Sequence, residues 1–185
     1  ATFSLNSVIR VLRLPVVWYI TFIIMTGYCA YWGILRATPY SEDVFLVSAT
    51  VAGAIATAKN WLKPIAAFVA GWLADKIGIS TTVAGAFAIL TFCFLVFSFL
   101  PGTQAMLPYM LVNLSLASIA IFAMRGIYFA LLEEGGVPMA VTGTAAGLIS
   151  VLGFTPDIFI PPLSGWLLDT FCLLYTSPSP RDKTV

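Results

Sequence analysis

Four stretches of this chain, residues 15–35, 77–100, 105–124 and 135–156, contain no charged side chain. Each supplies the roughly 20 mainly apolar residues that one helix needs to cross a bilayer. That leaves few folds open. A fifth stretch, residues 44–74, is equally apolar apart from Lys59 and Lys63. Buried helices of a water-soluble domain would need polar sequence to cover them, and the chain has little. Its residues are 60% hydrophobic and 9% charged, against about 45–50% and 25% in soluble domains. The runs are continuous, whereas a barrel strand alternates in segments of about 10 residues. Helices satisfy their own backbone in lipid. The expected fold class is therefore an all-α membrane protein with five transmembrane helices, near residues 15–36, 44–75, 79–100, 104–132 and 139–168.

The same composition excludes several functions. The net charge is +1 with no basic cluster, which argues against nucleic acid as a partner. The chain has no histidine, so a Ser/His/Asp triad and a histidine-bound zinc are ruled out. Cys29, Cys93 and Cys172 are isolated and form no CxxC pair. No enzymatic activity, cofactor or metal is expected.

Residues 172–185, "CLLYTSPSPRDKTV", break the pattern. Residues 172–182 back-translate in one frame to the transposase adapter of shotgun sequencing libraries. This tail is expected to be an artefact without ordered structure, and the fold is expected to end at Phe171. Up to that point Arg10, Arg13, Arg36, Lys59, Lys63, Lys76 and Arg125 balance Glu42, Asp43, Asp75, Glu133, Glu134, Asp157 and Asp169. The chain opens without methionine and is expected to be a fragment. Arg10, Arg13 and Lys76 fall on one side of the predicted spans and Arg36 on the other. The Lys/Arg excess places the first side in the cytoplasm.

Charge at the link between the second and third predicted helices comes in "GWLADKIG", residues 71–78. The link is only a few residues long. Gly71 removes a side chain where helices approach, Gly78 permits a positive φ, and Asp75 and Lys76 sit at the water boundary.

The set Gly71, Leu73, Ala74, Asp75, Lys76 and Gly78 resembles the loop signature of the major facilitator superfamily of transporters, which follows the second helix of a six-helix half. Ile79, Ser80 and Thr81 stand where the family carries basic residues, which suggests the C-terminal half. "RGIYFALLEEGGVP" (residues 125–138) and "GTAAGLISVLGFTPDIFIPPLSGWLLD" (residues 143–169) resemble the fourth and fifth helices of that half in bacterial members. The resemblance implies helices seven to eleven of twelve. It also implies a secondary active transporter, symporter or antiporter, in the bacterial inner membrane, with alternating access for a small polar solute. The alternative is a receptor or scaffold with the same fold and no transport. In the family the loop aspartate joins a charge contact that holds the cytoplasmic side closed. By that analogy Asp75 and Arg125 would form a latch.

Charged residues within spans are candidate sites, because a cation at the centre of a spanning helix costs about 2.5–3.5 kcal/mol and so faces a cavity or a partner. Lys59 reads as the deepest, about 22 Å along its helix from Val44 at 1.5 Å per residue. Lys63 follows one turn on, where it either presents charge to the pathway or snorkels to the headgroups. Such a pair suits an anionic or hydroxylated solute. Arg125 pairs with Asp75, with Glu133 or Glu134, or with a substrate. Asp157 follows Pro156 and precedes Pro161 and Pro162, so the helix is expected to break there. It is a candidate for coupling to H+ or Na+, or else a hydrated boundary residue. Gly143 and Gly147 have the GxxxG spacing of close helix packing. Trp18, Tyr19, Tyr28, Tyr31, Trp32 and Trp166 read mainly as an interfacial belt. Tyr28 and Trp32 share a face, which also makes them candidate cavity contacts.

Overall fold

The structure, a computed structural model, describes residues 5–170. The tail from Cys172 lies outside the described residues. Nine α-helices are described: α1 (Leu5–Leu12), α2 (Pro15–Leu35), α3 (Ala37–Phe45), α4 (Ala49–Ile77), α5 (Ile79–Phe99), α6 (Leu107–Ile127), α7 (Leu131–Glu134), α8 (Met139–Gly153) and α9 (Pro156–Thr170). Short 3-10 turns, Gln104–Met106 and Tyr128–Ala130, extend α6 at both ends. The chain is thus an all-helical, multi-pass membrane protein. Four helical stretches are long and apolar enough to cross a bilayer: Pro15–Glu42, Ile79–Phe99, Gln104–Glu134 and Met139–Leu167. The fifth, α4, has the length but carries Lys59, Lys63, Asp75 and Lys76 among its 29 residues.

Local chemistry sets the ends. Pro15 occupies the first turn of α2, where its missing N–H leaves no bond unmade. The Ser48 hydroxyl accepts from the Val51 N–H at 3.4 Å and caps α4. Gly78 stands at φ 90° and serves both as the C-cap of α4 and the N-cap of α5. A side chain there would be forced into the left-handed region. This single residue makes the sharp turn that the sequence requires.

α6 is the centre of the bundle. Residues from Met110 to Ile127 are buried on several of its faces, and α4, α5 and α2 all pack against it. Asn113 ties α6 to α5 by donating to the Cys93 carbonyl at 2.9 Å. α8 and α9 pack against α2.

α2 closes at Leu35 with Arg36 as its C-cap, and α3 follows directly. Two expectations need correction. The predicted fifth helix breaks at Phe154 and Thr155, whereas α9 runs unbroken through Pro161 and Pro162. The glycines of close approach are also different ones. A Cβ added at Gly71, Gly143 or Gly147 meets nothing within 4 Å in this chain. At Gly153 it would lie 2.7 Å from Ile24 Cγ2, and at Gly126 3.2 Å from Ala67 Cβ. Gly153 therefore lets α8 approach α2, and Gly126 lets α6 approach α4.

Candidate functional site

α4 begins at Ala49 rather than near residue 44, and this moves the midpoint of the helix. Lys63, not Lys59, is equidistant from Ala49 and Ile77, about 21 Å from each at 1.5 Å per residue. Lys63 thus marks the middle of α4, four residues beyond Lys59. Lys63 is exposed and Lys59 is buried. The Lys59 ammonium donates to the Ile34 carbonyl at 3.3 Å, in the last turn of α2. Carbonyls at a helix C-terminus lack intrahelical partners and carry partial negative charge, so a cation is stabilised there. Lys59 pins α4 to α2.

Lys63 instead stands over the Phe122 ring of α6, 5.3 Å from its centroid. The Phe122 ring meets the Tyr31 ring of α2 edge-on at 6.4 Å. The Arg125 guanidinium lies 4.4 Å from the Tyr31 centroid and 4.8 Å from that of Tyr28. Arg125 Nη2 also donates to the Tyr28 hydroxyl at 3.0 Å. Spacing produces this arrangement. Tyr28 and Tyr31 are three apart on α2, as Phe122 and Arg125 are on α6, so each pair shares a helix face. Tyr31, Lys63, Ala67, Phe122, Arg125 and Gly126 enclose an open pocket of about 270 Å³. Gly126 and Ala67 also face each other across the α4–α6 contact, so small side chains serve both the contact and the pocket lining.

The carboxylate lies beside this cluster. Asp157 Oδ1 accepts from Trp32 Nε1 at 2.7 Å, one turn along α2 from Tyr28. Asp157 is in the first turn of α9, where the partial positive charge of a helix N-terminus favours it. Tyr28 stacks on Phe154, centroids 4.6 Å apart, and so connects the helix break to Arg125. Near the other end of the same interface Arg36 Nη2 donates to Ser164 Oγ at 2.7 Å. α2 thus holds α9 at two points.

Among the sequence candidates, Tyr28, Lys63 and Arg125 come together, with Trp32 and Asp157 adjoining. Asp75 does not join them. It is exposed at the end of α4, and Lys76 lies over the Trp72 ring at 4.0 Å. Arg125 bonds Tyr28 rather than Asp75. The loop is held by Glu134, whose Oε2 accepts from the Ser80 N–H at 2.9 Å in the first turn of α5. Tyr28, Tyr31 and Trp32 face this interior cluster. Sequence reading missed the walls, Phe122 and Phe154. The i, i+3 spacing of Phe122 and Arg125 is the one signal that could have found the first.

No family model and no solved structure matches the chain. Curated proteins do match. The chain is similar to two inner membrane proteins of Escherichia coli strain K12. It is 25% identical to Inner membrane protein YqcE over 175 residues, which is 91% of this chain and 41% of that protein. It is 29% identical to Inner membrane protein YihN over 168 residues, covering 89% and 40%. The chain therefore spans about two fifths of the length of these relatives. That proportion agrees with a piece of a longer multi-pass protein.

Proposed function

We propose that the chain is part of a secondary active transporter of the major facilitator type in a bacterial inner membrane, which carries a small polar solute by alternating access. The observation that supports this most strongly is the position of Lys63 and Arg125. Both line one pocket within the spans, and neither has a carboxylate within ion-pair distance among the described residues. Charge held there at a cost of about 2.5–3.5 kcal/mol per cation marks a pathway more often than a scaffold. The resemblance of residues 71–78 and the two inner-membrane relatives point the same way. Asp157, an acid beside the pocket at a helix break, is the candidate for coupling to H+ or Na+. The loop of Gly71, Asp75, Lys76 and Gly78, closed on Glu134, is the candidate gate.

Alternating access can be tested without knowing the solute. Ala67→Cys in a full-length, otherwise cysteine-free protein puts a thiol in the pocket. In right-side-out and inside-out vesicles, a membrane-impermeant maleimide is expected to label it from either face, because each conformation opens the pocket to one side. Labelling confined to one face would leave a receptor or scaffold and remove the transporter.

A further inference from the structure

Resting on the pathway reading of the same pocket, we infer that its solute is a small organic anion whose carboxylate or phosphate group is held between Arg125 and Lys63. The evidence is the imbalance of charge and donors. Arg125 carries five N–H donors in a planar fork, and its one hydrogen bond among the described residues goes to the Tyr28 hydroxyl. Lys63 has three donors, and among the described residues its ammonium lies over the Phe122 ring without a hydrogen bond. Cation–π contacts offset part of the charge but accept no such hydrogen bonds. The neighbouring acid, Asp157, is engaged by Trp32. Two cations are thus fixed on aromatic faces with most of their donors unspent, and an oxyanion supplies what both lack.

The geometry also divides the labour. Tyr28 and Tyr31 hold the guanidinium in one orientation, and a fixed fork matches a planar carboxylate or a phosphate edge with two parallel bonds. Lys63 is a point charge on a flexible stem, suited to a second oxygen or a second anionic group. Phe122 and Tyr31 lie between them and offer apolar wall to the carbon skeleton. The pocket's volume of about 270 Å³ falls just under the roughly 300–1,000 Å³ typical of sites for drug-sized ligands, which favours a small solute.

The test uses purified full-length protein and thermal unfolding with separate probes: inorganic phosphate, glycerol 3-phosphate, succinate and gluconate against neutral glycerol and glucose. At least one anion is expected to raise the midpoint by about 3 °C or more at saturation, with no shift from either neutral probe. Lys63→Gln and Arg125→Gln should each remove that shift, and Arg125→Lys should restore only part of it, because a point charge replaces the fork. Arg10→Gln, a change to an exposed residue of α1, should retain it. If Arg125→Gln does not fold, Lys63→Gln alone decides. Phosphate acting alone assigns a phosphate site, and succinate or gluconate acting alone a carboxylate site. The inference fails if no anion shifts the midpoint, if a neutral sugar or polyol does so instead, or if the shift survives Lys63→Gln. Two-sided labelling of Ala67→Cys combined with any of those results would leave the transporter standing with a different solute.

Discussion

Lys59 and Lys63 are one turn apart on α4 yet end in opposite circumstances. The first is buried against the Ile34 carbonyl and the second stands in an open pocket. Their substitutions should therefore separate. Lys59→Met keeps the length of the side chain and removes a buried charge. It gives up a charged hydrogen bond worth about 1.5–3 kcal/mol and also a desolvation cost of several kcal/mol. The thermal midpoint of the full-length protein is expected to hold or rise, with the anion response intact. Lys63→Met should leave the midpoint of the free protein nearly unchanged and abolish the anion response. Thermal unfolding with and without the active anion measures both, and the reverse pattern would exchange the roles of the two lysines.

Helix packing depends on where the chain can do without a Cβ. Gly153 touches Ile24 across the α2–α8 contact, while Gly143 and Gly147, on the same helix, face open space. Gly153→Ala should force that contact apart and lower stability by about 1–3 kcal/mol. Gly143→Ala and Gly147→Ala should be neutral or stabilising by up to about 1 kcal/mol, since alanine suits a helix interior better than glycine. Denaturation of the purified variants in one detergent compares them directly. A loss of stability at Gly143 or Gly147 would place that face of α8 against the remainder of the longer polypeptide, as expected of a sliding surface between two halves.

In the proposed transporter the pocket must exchange sides, and the polar pins between α2 and α9 would bear on that movement. Trp32 to Asp157 and Arg36 to Ser164 join the two helices, and the break at Phe154 and Thr155 lies between α9 and α8. If Asp157 couples solute movement to an ion gradient, Asp157→Asn keeps the hydrogen bond from Trp32 but removes the titrating charge. Proteoliposomes loaded with the active anion should then still exchange it across the membrane, while accumulation driven by a pH or sodium gradient disappears. Accumulation that persists in Asp157→Asn would assign coupling elsewhere. Trp61, Phe68, Trp72, Phe92 and Phe99 are exposed in this chain. Such apolar faces suit lipid or the rest of a longer protein, since lipid tails and leucine are equally apolar.

The helical membrane fold and the sharp turn at Gly78 were legible in the residues alone. These are local properties: run length against bilayer thickness, the absent N–H of proline, the freedom of glycine at positive φ. Lys63 and Arg125 were equally visible as charges in apolar surroundings. What only the tertiary structure decided was which partners they meet. Arg125 reaches Tyr28 across 97 positions of sequence and Trp32 reaches Asp157 across 125, so neither pairing has a local signature. The start of α4 at Ala49 moved the helix midpoint from near Lys59 to Lys63, and the α2–α8 contact selected Gly153 over the GxxxG pair. Burial and pairing depend on how helices approach one another, and that follows from the packing of the whole bundle rather than from any one segment.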